Sequence, residues 1–131
     1  MTAILTRLAE RGATLLIEAG QPGDPSKIAA RTAPMKLTTV LLGVTCLQLG
    51  ELVALLDEAP HIWLETRRLA DPQVVRALGQ RFGVDRLVFG SASPLQYTSS
   101  ALLPLQASGL SEEQQEQVLG KNIARRLQQG G

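Results

Sequence analysis

Short apolar runs alternate with stretches of helical polarity from one end of the chain to the other. The first run, Ala13-Thr-Leu-Leu-Ile-Glu-Ala19, is almost wholly apolar and is bounded by Gly12 and Gly20. A strand buried on both faces reads this way, whereas a half-exposed strand alternates. Comparable runs at 37–44, 61–66 and 86–91 predict three more strands. Apolar residues at helical spacing predict helices over 4–10, 27–31, 47–58 and 71–82. Asp24-Pro25 and Asp71-Pro72 each offer a capping carboxylate followed by proline at the first helical position. Gly83 stands where a helix C-cap glycine belongs. The tail reads as a turn-rich segment over 93–109, then a helix opened by Ser111 and Gln114 at capping-box spacing.

Strands separated by helices must lie parallel and be joined by right-handed crossovers, because antiparallel hairpins are linked by short turns. The expected fold class is therefore α/β, with alternating βα units around a parallel sheet. No Gly/Ser/Pro-rich linker or low-complexity tract divides the sequence, so a single domain over 1–131 is expected.

Composition narrows the functional classes. The 13 basic and 12 acidic residues nearly cancel and cluster only as short pairs such as Arg67-Arg68, which argues against nucleic acid as a partner. Aromatic residues are only 3% of the chain, too few for a stacking surface. No apolar stretch is long enough to suggest a membrane partner, and the one cysteine, Cys46, cannot form an internal disulfide. A cytoplasmic location is expected.

Two motifs carry a resemblance. Gly83-Val-Asp-Arg-Leu-Val-Phe-Gly-Ser-Ala-Ser-Pro94 is followed by Gly109-Leu-Ser-Glu-Glu-Gln-Gln-Glu-Gln-Val-Leu-Gly-Lys-Asn-Ile-Ala-Arg-Arg-Leu127. Together they resemble the C-terminal end of the amidohydrolase-related branch of metal-dependent amidohydrolases, where "DRLLFGSD-x-P" precedes a helix ending "GxNAxRL". The resemblance extends upstream through Leu37 and makes the four strands similar to the fifth to eighth strands of a TIM (β/α)8 barrel. A closed barrel has eight strands and about 250 residues, so the chain is expected to be a half-barrel.

The resemblance implies a divalent metal, often zinc, held by histidines at strand ends and an aspartate after the last strand, activating a water. In this chain Glu18 stands at the fifth-strand histidine position, Gly43 or Leu42 at that of the sixth, and Ala92 at that of the aspartate. The first-strand histidine pair would precede Met1. The matching positions are Phe89, Gly90, Ser91, Pro94, Gly120, Asn122, Arg126 and Leu127.

The candidates are thus carboxylates. Glu18 ends an apolar strand, where an ionised group must be paired, solvated or bound to a cation; it is a candidate metal ligand or a salt-bridge partner. Glu65 is the second candidate and projects into the barrel mouth unless it pairs with Arg67 or Arg68. His61 begins its strand, on the face opposite a barrel's catalytic mouth. Cys46 lacks an evident activating base and is expected to be an inert thiol. Ser91 and Ser93 sit in no G-x-S-x-G elbow and read as turn formers.

The leading expectation is an amidohydrolase-related scaffold lacking the usual metal ligands, with no cofactor. A rival reading is a hydrolase whose Glu18, Glu65 and Asp85 make a carboxylate-rich site for a divalent metal, completed by a partner chain. A third is a small-molecule binding module without chemistry. An open four-stranded arrangement leaves two sheet edges unpaired and an apolar inner face uncovered, so a homo-oligomer or a complementing half-barrel is expected as partner.

Overall fold

The computed structural model describes residues 2–130. Its centre is a four-stranded parallel sheet of β1 (Leu15–Glu18), β2 (Thr39–Leu42), β3 (Ile62–Glu65) and β4 (Leu87–Val88), in the order β1-β2-β3-β4. Helices α1 (Thr2–Glu10), α2 (Asp24–Thr32), α3 (Leu49–Glu58) and α4 (Pro72–Phe82) alternate with the strands. Sequential strand order combined with crossovers of one hand places the connecting helices on one face of the sheet, as in a barrel and unlike a doubly wound sheet.

Side chains alternate accordingly. Leu41, Ile62, Leu64 and Leu87 join the helices' Ala29, Leu52, Leu56, Val75 and Leu78 in one buried cluster. The other face carries Leu16, Val40 and Trp63 in one register row, then Glu18 and Leu42 beside Glu65 and Val88 in the next. Val40 is fully buried between its row neighbours, while Leu16 at the sheet edge is 53% exposed.

The strands are shorter than the apolar runs that announce them. Pairing of β2 stops before Gly43, whose φ of 71° turns the chain away. At β4, Val84–Arg86 forms a 3-10 turn, so the last run contributes two paired residues. Arg86 belongs to the helix layer: its guanidinium donates to the carbonyls of Ile62, Leu56 and Ala59 at 3.0, 3.1 and 2.6 Å. It thereby satisfies carbonyls at the end of α3 that have no intrahelical partner.

Capping departs from expectation at one helix and agrees at two. Asp71 caps α4 by accepting from the Gln73 N–H at 2.8 Å, and Ser111 and Gln114 form the expected capping box. Asp24 does not cap α2; it is the first helical residue and accepts from Gln21 N–H. A distant carboxylate takes that role, since Glu51 of α3 accepts from the N–H groups of Gly23 and Ser26. Helix α3 itself starts at Leu49, after a 3-10 turn over Cys46–Gln48.

The turn-rich reading of 93–109 is corrected by α5 (Thr98–Gln106), which buries Ala101, Pro104 and Leu105. The closing helix is continuous but contains a π-turn: α6 (Glu112–Glu116), the π segment Gln117–Lys121 and α7 (Asn122–Gly130) follow without a break. It covers the outer side of β4. Fully buried Asn122 donates from its side-chain amide to the carbonyls of Val84 at 2.7 Å and Leu87 at 2.9 Å. The Phe89 N–H donates to the Val118 carbonyl at 2.9 Å. Two unpaired edges are expected; the β4 edge is closed from within the chain, and among the described residues no strand pairs with β1 on the side away from β2. Arg126 of α7 also reaches the Gly12 carbonyl ahead of β1, tying the two sides of the sheet together.

Candidate functional site

The C-terminal ends of parallel strands are where a βα architecture collects chemistry. Two of them here converge on one ion-pair cluster. Glu18 ends β1 and Glu65 ends β3; with one strand between them, both carboxylates emerge on the helix-free face. Arg67, two residues beyond β3, turns its guanidinium between them. One terminal nitrogen pairs with Glu18, and Nε lies 3.4 Å from Glu65 Oε2.

Glycine makes room for this cluster at both neighbouring strand ends. A β-carbon on Gly43, just after β2, would lie 2.6 Å from Glu18 Oε2 and 2.9 Å from the Arg67 guanidinium. At Gly90, just after β4, it would lie 2.8 Å from Glu65 Cγ and closer still to the carboxylate. Gly90 is therefore held to glycine by the buried Glu65 side chain over it, whereas Gly43 is restricted chiefly by its left-handed φ of 71°, since the ends of Glu18 and Arg67 can move. Glu65 is buried and accepts from the Gly43 N–H at 3.1 Å and the Arg67 N–H at 3.3 Å. Glu18 is mostly exposed at the sheet edge.

Burial raises the Glu65 pKa above its ordinary value, against the opposing pull of the Gly43 N–H and the Arg67 charge. Its folded-state pKa thus lies above the unfolded value near 4.5. A group of this kind contributes stability below its unfolded pKa and loses it as pH rises through the folded pKa. Replacing Glu65 by glutamine is accordingly expected to remove this loss. Urea midpoints of wild type and Glu65→Gln measured from pH 4 upward should show the variant gaining on wild type as pH rises; parallel curves would refute the burial effect.

The remaining candidates lie elsewhere. Asp85 is exposed in the 3-10 turn leading into β4, at the opposite end of the strands from Glu18 and Glu65, so the three carboxylates do not form one site. His61 sits at the start of β3 as expected, with Nε2 3.0 Å from the Thr32 hydroxyl, and burial lowers its pKa. It borders an open groove of about 930 Å³ between α2 and α3, lined by Ala29, Ala54, Leu55 and Pro60, away from the strand mouths. Cys46 is half-buried in the turn before α3. Ser91 serves the turn by accepting from the Ser93 N–H, while Ala92 adopts a left-handed φ of 55°.

The residues at the strand ends do not fit a divalent ion. The positions that resemble ligand sites hold Gly43 and Ala92, and both available carboxylates already face a fixed cation. Among the described residues no group of three or more His, Cys, Asp or Glu side chains converges. Both carboxylates are legible in the sequence, each with arginine pairing as an alternative. That one arginine serves both, and that Gly90 leaves room for Glu65, is not; glycine within two residues of a strand end is the signal the sequence carries.

Comparison with known proteins follows the same lines. A family model described as amidohydrolase matches residues 2–128. The curated proteins yield no match. Among solved structures, an uncharacterized TIM-barrel protein from Bordetella bronchiseptica is similar, with a TM-score of 0.76 at 17% identity. The similarity covers 98% of this chain and 50% of that one, so the chain spans half the length of its structural neighbour. Among the described residues, no helix is long and apolar enough to cross a membrane.

Proposed function

The chain belongs to the amidohydrolase family, and from that premise we propose that it is a non-hydrolytic member, a half-barrel scaffold without a metal centre. The observation that carries this reading is the Arg67 guanidinium between Glu18 and Glu65. Family chemistry needs an electron-pair acceptor at the strand mouth that binds and acidifies water. A guanidinium has no vacant coordination position and stays protonated, so it neutralises the carboxylates but cannot generate hydroxide. Glu65, the more buried carboxylate, is held by two backbone N–H groups and this cation rather than left free to take a proton from water. The cluster therefore acts as a clamp across the ends of β1 and β3. We further propose a cytoplasmic location, with which a single cysteine is compatible.

The test is direct. Protein incubated with zinc, manganese or magnesium and then desalted is expected to retain no stoichiometric metal by elemental analysis. It should also leave amide, ester and lactone substrates unhydrolysed. One equivalent of metal lost on Glu18→Ala, or hydrolysis abolished by Glu65→Gln, would overturn the proposal.

A further inference from the structure

Between α2 and α3 the outer surface of the helix layer is hollowed into an open groove of about 930 Å³. Both walls lie inside the chain, away from the sheet edges and from the helix-free face of the sheet. Small apolar residues line it where the outer face of a helix ordinarily carries long polar ones: Ala30 and Ala33 on one wall and Ala54 on the other are all exposed. The walls differ in charge. After Asp24 in its first turn, the α2 side carries only the cations Lys27, Arg31 and Lys36, whereas α3 carries only the anions Glu51, Asp57 and Glu58. Lys36 and Glu58 line the groove at the same end, both exposed, and among the described residues neither has an ion-pair partner.

We propose that a second copy of this chain docks on the groove, across a two-fold axis running along it. An isologous contact needs a self-complementary patch, and a basic row beside an acidic row is one. An axis along the groove lays α2 of each copy over α3 of the other, so cations meet anions twice. An axis across the groove would set α2 on α2 and α3 on α3, like charge on like. The register agrees. Ser26, in the first turn of α2, donates to Glu51, in the first turn of α3, from its N–H at 3.0 Å and its hydroxyl at 2.7 Å, so the two helices start level. Ala30 and Ala54, four and three residues further on, therefore stand at about one height. The axis brings Ala30 of one copy onto Ala54 of the other, with no side chain beyond Cβ to hold the helices apart, and at the far end Lys36 meets Glu58. Helices of nine and ten residues are only about 15 Å long, so the contact falls short of the about 800 Å² per partner of a stable complex. The association is accordingly expected to be micromolar or weaker.

Sedimentation equilibrium over a wide concentration range is expected to show a monomer–dimer equilibrium of the 14.0 kDa chain, weakened as ionic strength is raised. Lys36→Glu and Glu58→Lys, each at an exposed position, should each weaken self-association by about tenfold or more, because two like-charge contacts replace two ion pairs. Mixed one to one, the two variants should regain the dimer, since both contacts again join opposite charges. Misfolding of either variant cannot produce that recovery. A monomer at every concentration, a dimer that both variants leave intact, or a mixture no more associated than its components would each overturn the proposal.

Discussion

Replacing Arg86 by methionine is expected to cost about 3 kcal/mol, the largest loss from any single truncation outside the apolar core. The methionine keeps most of the volume but offers no donor, so three carbonyls lose the guanidinium together, and of these only the Ala59 carbonyl keeps a bond, from the Ile62 N–H. Those carbonyls belong to the last turn of α3, the residue after it and the first residue of β3, so the loss falls on the joint between a helix and its strand. Bonds from a charged donor are each stronger than a neutral bond, and partial exposure of Arg86 lets water recover some of the deficit. For a domain of this size the melting temperature should fall by roughly 10 °C. Arg86→Lys should fall between the two, since an ammonium can reach fewer of the carbonyls. A melting temperature within a degree or two of wild type for Arg86→Met would show that water replaces the guanidinium fully.

Gly90→Ala is expected to destabilise the fold by about 2–3 kcal/mol, and the route of the loss can be measured. The added methyl group occupies the space of the Glu65 side chain, which must swing away from the Gly43 and Arg67 N–H groups and from the Arg67 charge. The damage therefore depends on Glu65 being present. In a double-mutant cycle by urea denaturation, Gly90→Ala added to Glu65→Ala should cost little, giving a coupling of about 2 kcal/mol. Additive losses would mean that Gly90 is needed for its own backbone and not for its neighbour. The φ of Gly90 is not among the left-handed glycines, which makes steric conflict with Glu65 the expected cause.

What could be read from residue order alone divides along the range of the interactions. The strands and their parallel sense were legible because each is buried on its helix face by its own apolar residues, such as Leu41 and Leu64, and because helices must fill the gaps between parallel strands. Capping by Asp71 and Ser111 was legible because donor and acceptor lie within three residues. Capping of α2 by Glu51 was not, since the carboxylate arrives from 28 positions away. Helix α5 was hidden by composition: Thr98, Ser99, Ser100 and Pro104 are turn-forming residues, and only tertiary packing of Ala101 and Leu105 makes them helical. At the candidate site, Glu18 and Glu65 could be named from their strand-end positions. Their shared arginine and the glycines beneath them depend on register between strands, which no local pattern encodes.

The left-handed backbone of Ala92 bears on how this chain stands to hydrolytic members of its family. Alanine is penalised in that conformation, whereas aspartate and asparagine are among the few side chains that adopt it readily. The loop after β4 thus has a backbone shape suited to the aspartate that the resemblance places at this position, so Ala92→Asp is expected to relieve the backbone. The arginine between Glu18 and Glu65 at the neighbouring strand ends is untouched by that change.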